Sequence, residues 1–253
     1  MKYDYILILV LILFIVGCED DLVIDTSKDT YHDDISDICY VNGYFFTTNY
    51  DLSGNSGSQI DLIRFTSDGI NVNDAFELGM NGQGYLAMTS DGSDIYMQSR
   101  SNGGIIRSSP IGERAYMKWD SVDVKKWWAG GICYLPEKDS LLLLYRNLDN
   151  KTRYRARTVS KTVPHESGSD RSFSVDFIDT TCHGIWAIAY KDSAFYMLGV
   201  DTLLQDKLMI TDCQFNIVSV EDISDSTVVG LCFKGDDLYL SYRPRRIEMW
   251  GSF

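Results

Sequence analysis

Five stretches of this chain share a phrase, and three of them carry an arginine at one place in it. Aligned on a middle apolar or aromatic residue, Phe45, Tyr96, Leu142, Tyr196 and Tyr239, the fourth residue onward is Asn49, Arg100, Arg146, Val200 and Arg243. A guanidinium offers a planar fork of donors that matches carboxylate, sulfate or phosphate oxygens two at a time. If the repeats surround an axis, arginines at one register converge on one end of it. The segments ahead of the phrases add rings and amides: Asn81, Gln83 and Tyr85 in MNGQGY, Trp127 and Trp128 in KKWWAGG, His183 and Trp186 in TTCHGIW. Arg100, Arg146, Arg243, Trp128 and His183 together form a candidate site for a glycan or an acidic sugar. A structural reading competes with it. The chain has 36 acids against 23 bases, so each arginine has carboxylates to pair with, and tryptophans often wedge between packed sheets.

Other chemistry is thinly represented. The histidines, His32, His165 and His183, make no pair with zinc-ligand spacing, and there is no Cys-x-x-Cys. SGNSGS at 53–58 misses the G-x-S-x-G nucleophile elbow. DLSGNSG from Asp51 faintly follows a calcium loop, but Gly57 falls one place late and Leu62 stands where a bidentate Glu is required. No catalytic residue, metal or cofactor is assigned. Acids such as Asp37 or Glu248 could serve an enzyme, and nothing in the sequence selects them.

The elements that would position the arginines are short strands. The phrases are ICYVNGYFF, LAMTSDGSDIYM, ICYLPEKDSLLLL, IAYKDSAFYM and LCFKGDDLYL, each a strand core, a polar turn and a second strand core. Their second residues, Cys39, Ala87, Cys133, Ala189 and Cys232, recur every 43 to 56 residues. A period of that length predicts a β-propeller with one four-stranded sheet per repeat. Two more strands per period come from segments such as SQIDLIRFTSDG, RYRARTV with SFSVDFID, and KLMITDCQFNIVSV. The polar stretch SKTVPHESGSD accounts for the longest interval as an extended hairpin. The fifth period ends after a third strand in RRIEMWGSF, and DLVIDTS from Asp21 supplies the fourth. The expectation is an all-β, five-bladed ring closed by an N-terminal strand, with six blades as the alternative. Inner strands crowd the axis and favour small residues, so Cys39, Cys133 and Cys232 should be buried free thiols in the slot that Ala87 and Ala189 fill. Cys182 and Cys213 are less constrained.

The chain begins with an apolar run, Tyr5 to Gly17, that suits a secretory signal and is too short for a membrane span. Ile15-Val16-Gly17-Cys18 resembles the lipobox of bacterial lipoproteins, which implies cleavage before Cys18 and acylation of its thiol. Glu19-Asp20-Asp21 resembles the short acidic signal of surface-exported lipoproteins in Bacteroidota, and reads equally as a solvated acidic tether. The organisation is then 1–17 signal peptide, 18–21 lipidated cysteine and tether, and 22–253 propeller. The lipobox implies a location in the cell envelope with a lipid anchor in the outer membrane, and the acidic segment an outward-facing one; in its repeat rhythm the body resembles the NHL-like and quinoprotein-like propeller lipoproteins of bacteria, which implies the architecture rather than an activity.

A net charge of −13 argues against nucleic acid and against binding anionic lipid by charge. The partners expected are the membrane, through the anchor, and a glycan, peptide or protein ligand. Three function classes follow. One is a non-catalytic binding module. Another is a propeller enzyme of glutamine cyclotransferase-like or polysaccharide-lyase-like type. The third is an envelope assembly or protective, immunity-type factor.

Overall fold

The computed structural model describes residues 24–25, 35–49, 59–66, 71–81, 86–99, 104–110, 114–117, 127–162, 167–174, 184–243 and 246–253. They are strands and tight turns, with one 3-10 turn at Pro136–Lys138. The first sheet is β2 (Ile35–Val41), β3 (Tyr44–Asn49), β4 (Gln59–Thr66) and β5 (Asn71–Asn81). The second is β6 (Leu86–Ser90), β7 (Ile95–Ser99), β8 (Ile105–Ser108) and β9 (Arg114–Met117). The third is β10 (Trp127–Leu135), β11 (Ser140–Asn147), β12 (Arg153–Ser160) and β13 (Ser167–Ser174). The fourth is β14 (Ile185–Lys191), β15 (Ala194–Val200), β16 (Asp206–Asp212) and β17 (Ile217–Asp222). The last is β18 (Val228–Lys234), β19 (Asp237–Tyr242), β20 (Arg246–Ser252) and, from the other end of the chain, β1 (Ile24–Asp25). Every pairing is antiparallel, and β1 lies beside β20 with Ile24 opposite Ile247 and Asp25 opposite Arg246.

The molecule is a β-propeller. The inner strands touch in a ring, β2 to β6, β10, β14, β18 and back to β2. Five apolar clusters fill the five seams between neighbouring sheets. Period-2 alternation explains this economy: each strand sends one set of side chains to the sheet ahead and the other to the sheet behind. The small-residue slot is distributed in the same way. Cys39, Ala87, Cys133, Ala189 and Cys232 are all buried, each in a different seam. The three cysteines are free, as is Cys213. Burial pushes the thiols of Cys39, Cys133 and Cys232 up, so they stay protonated and unreactive.

Turn chemistry fixes the register of two inner hairpins. Asn42 and Gly43 have φ of 51° and 86°, the paired left-handed residues of a tight two-residue turn, and Asp192-Ser193 repeats this at 49° and 65°. The register corrects the sequence alignment in two places. Cys39 lies opposite Phe46 rather than Phe45, because the Asn-Gly turn is only two residues long. Ala87 lies opposite Gln98, and Tyr96 lies opposite Thr89, because the second hairpin has a four-residue turn. The expected polar hairpin at 160–170 is also shorter, since β13 already begins at Ser167. That strand is the outer edge of its sheet, where burial does not demand an apolar pattern. Cys18, with the rest of the signal and tether, lies outside the described residues.

Candidate functional site

The channel has two ends. Inner strands begin at one, the entry end, and turn back into their hairpins at the other. On the axis side these strands have no neighbouring strand, so backbone N–H groups there must find acceptors elsewhere. In β2 the ladder is interrupted by a bulge between Ile35 and Ile38, which releases Ser36 and Asp37 from regular pairing. Asp37 is 0% exposed. Its Oδ1 accepts the N–H of Ile38 at 2.9 Å and that of Leu231 at 3.2 Å, and its Oδ2 accepts the N–H of Met88 at 2.9 Å. One carboxylate thus ties the first sheet to the second and to the last. Gly230 is required beside it, since a Cβ there would collide with the carboxylate. Hydroxyls complete the network. Thr47 donates to the Asp37 carbonyl at 2.9 Å, Ser241 donates to the Ser36 carbonyl at 3.2 Å, and Ser36 and Thr48 share a hydrogen bond. Sequence reasoning named Asp37 without a reason to choose it. The signal available was a charged residue inside an apolar inner strand, in ISDICYV alone among the five phrases.

Toward the hairpin end lies a cavity of about 150 Å³ to which all five sheets contribute. Ile38, Met88, Ile188 and Leu231 border it beside the slot residues Cys39, Ala189 and Cys232, with their side chains buried in the seams between sheets. Half-buried Tyr40, Tyr134, Tyr190 and Phe233 line it where the inner strands end. These four aromatics directly follow the small slot residue in ICY, ICY, IAY and LCF, so the repeat encodes a ring of aromatic side chains as well as a ring of small ones. Three of the rings have a lysine ammonium over them: Lys161 over Tyr134 at 5.5 Å, Lys191 over Phe233 at 5.2 Å, and Lys234 over Tyr40 at 5.6 Å. The Tyr134 hydroxyl donates to Asp139 at 2.7 Å and that of Tyr190 to Glu137 at 2.9 Å, which turns both outward from the axis.

The candidate residues at the entry end are brought together only in part. Trp128 and Arg146 are cross-strand partners on β10 and β11. Trp128 is 39% exposed, whereas Arg146 is 3% exposed and its Nε donates to the Lys151 carbonyl at 3.0 Å. Its guanidinium packs under Gly184 at the start of the next sheet, next to Tyr154. Arg243 follows β19 in the last sheet, its backbone N–H on the Thr227 carbonyl at 2.9 Å. Arg100 and His183 lie outside the described residues. Trp186 is buried in the seam between the fourth and last sheets. Nearby, Lys207 bridges Asp201 and Asp222, and Arg246 pairs with Asp225 and Glu248. Burial, then Asp225 and Asp201, push the Asp206 carboxyl up to about 6. The entry end of the fourth and last sheets is therefore acidic.

No protein-family model matches the chain, and no curated protein matches it. Solved structures do. An α-L-arabinofuranosidase, CtGH43, from Clostridium thermocellum is 12% identical with a TM-score of 0.55, over 82% of this chain and 81% of that one. A chain of a nidogen/laminin complex is 12% identical with a TM-score of 0.52, over 80% and 69%. The chain spans 65% of the length of virginiamycin B lyase from Staphylococcus aureus, with 85% of itself covered, 18% identity and a TM-score of 0.45. Fold and neighbours define the class, a β-propeller, which is found in enzymes and in binding proteins alike.

Proposed function

We propose that this protein is a lipid-anchored binding module of the bacterial envelope, which holds a ligand at one end of its propeller and performs no chemistry on it. The observation that carries this reading is the axis itself. Its carboxylate, Asp37, is consumed by three backbone N–H groups of three strands and has no access to solvent. A general acid or base must reach a substrate proton. What the axis offers instead is a cavity lined from all five sheets, with Tyr40, Tyr134, Tyr190 and Phe233 where the inner strands end. Such a combination suits retention of a ligand.

The anchor in this reading is Cys18. Expressed in a bacterial host, the full chain should partition into detergent, and Cys18→Ser should abolish acylation and leave the protein soluble or unprocessed. Binding is tested by screening the purified full chain against neutral and acidic oligosaccharides, short peptides and small organic acids by thermal shift. Hits should be weakened by Tyr134→Ala or Tyr190→Ala at the cavity rim. Turnover of a glycoside, lactone or glutaminyl peptide that is lost in Asp37→Asn would overturn the non-catalytic reading. A second reading, a protein-docking or assembly factor, is favoured by one observation at the entry end: Trp128, Leu203 and Leu204 are exposed there, the two leucines at 75% and 61%. In that case Leu203→Ser with Leu204→Ser would abolish capture of the partner and leave small-ligand shifts intact.

A further inference from the structure

We infer that the outer edge of the fourth sheet, β17, docks an extended segment of a partner protein as an added antiparallel strand, basic in its first residues and apolar after them. The edge lies away from the channel, so the inference stands apart from the reading of the cavity. It starts from how the outer strands are made. A sheet edge carries unpaired N–H and C=O groups, and proteins blunt such edges with charge, shortness or bulges. β1 has two residues and β9 four. β5 carries Asp74 and Glu77, and β13 is polar except for Phe173, which stacks on Tyr154 and Phe215. β17 reads IVSVED, and no strand lies beyond it among the described residues. Its Ile217, Val218 and Val220 are 45%, 70% and 42% exposed.

Period 2 sorts the strand. Val218, Val220 and Asp222 form one exposed row, while Ser219 and Glu221 turn half in. Glu221 accepts there from Nε1 of Trp250, in the last sheet, at 3.4 Å. A bulge at Val218 interrupts the pairing with β16, since Ile210 faces Ser219 and Thr211 faces Ile217. It confines new pairing to Ser219–Asp222 and leaves Ile217 and Val218 as side-chain contacts at the start of the strand. Charge names the occupant. Asp201, Glu221 and Asp222 gather at the entry end of this edge, and the one ammonium among them, Lys207, contacts Asp201 and Asp222. The surplus is negative, so a cation suits the partner residue beside Asp222. A second copy would bring the same surplus and a net charge of −13. A strand antiparallel to β17 starts at this acidic end, which puts its basic residues first and its β-branched ones after.

The test is calorimetric titration of the purified full chain with the capped peptide Lys-Lys-Val-Thr-Val-Ile. It should bind about tenfold more tightly than Glu-Glu-Val-Thr-Val-Ile, as two cross-strand pairs change from attraction to repulsion. Val218→Lys with Val220→Lys, both at exposed positions, should abolish binding at an unchanged melting temperature. Two N-methylated forms of the lysine peptide separate strand pairing from surface adhesion, since methyl groups on alternate residues block one edge of a strand and leave the other open. One form should bind like the parent peptide and the other should not bind. Absence of binding by the lysine peptide, equal binding of the lysine and glutamate peptides, equal behaviour of the two methylated forms, or binding that survives the double variant would overturn the proposal. A dimer of the full chain in sedimentation that the double variant dissociates would overturn it too, because a second copy would then occupy the edge. None of these outcomes bears on the cavity, whose ligand is read by the thermal-shift screen.

Discussion

A buried carboxylate needs its charge answered by hydrogen bonds, and Asp37 accepts three from backbone N–H groups. Asparagine in its place keeps the size but turns one acceptor into a donor. Asp37→Asn should therefore set an NH₂ group against a backbone N–H and cost about 1–3 kcal/mol, the range for a buried donor left unsatisfied. Urea denaturation at neutral pH measures it, and a midpoint equal to that of the parent would refute the tie. Asp206 behaves in the opposite sense. Its carboxyl is raised to about 6, first by burial and then by Asp225 and Asp201. The folded state thus holds its proton more strongly than the unfolded chain, whose aspartates titrate near 4. Stability from this group rises as pH falls through about 6 and levels off near 4. Asp206→Asn should remove that slope and gain on the order of 1–2 kcal/mol at pH 7.5, checked by denaturation at a series of pH values.

Among the elements, the outer strand β13 shows how a polar edge is kept in place. Phe173 on it stacks on Tyr154 at 5.5 Å and on Phe215 at 4.2 Å, and Phe215 stacks in turn on Phe195 at 4.6 Å. Phe215 sits in the turn between β16 and β17 with φ of 68°, a conformation that a bulky residue rarely adopts. Packing holds it there, since it is buried between rings from two sheets. Phe215→Ala should destabilise the protein by about 3 kcal/mol, and hydrogen exchange should quicken across residues 167–174 before the inner strands respond. This clamp was not legible in the sequence. SGSD, the first half of β13, reads as the tip of the polar hairpin while SFS opens the expected strand, because a strand exposed at a sheet edge carries no alternation. The inner hairpins were legible for the converse reason. ICY, IAY and LCF are buried on both faces, and their small-then-aromatic order survives in four of the five repeats. The candidate site was less legible. Arginine register along the chain says nothing of where a side chain turns, and Arg146 turns into the seam under Gly184 rather than toward solvent.

At the scale of the whole molecule, closure depends on two devices of different kinds. One is the strap, β1 beside β20, which makes the two ends of the chain neighbours in one sheet. The other is Asp37, whose bond to Leu231 joins the first inner strand to the last. Deleting residues 19–27 should lower the melting temperature by exposing the edge of β20, and combining the deletion with Asp37→Asn should cost more than the sum of the two. Additive losses in differential scanning calorimetry would mean that the devices act independently.

The strap also decides how the molecule takes a pull. With the anchor proposed at Cys18, drag enters from the N-terminal side, and among the described residues the first paired ones that the tension meets are Ile24 and Asp25. Two residues of ladder yield easily. Behind them, β2 is pinned on both flanks by Asp37, so force that unseats the strap stops at Ile35 and does not reach the stack of sheets. The strap then works as a mechanical fuse, releasing length while the ring stays shut. Pulled by an N-terminal handle, a single molecule should show a short extension at low force, well ahead of the main rupture, and Asp37→Asn should merge the two events.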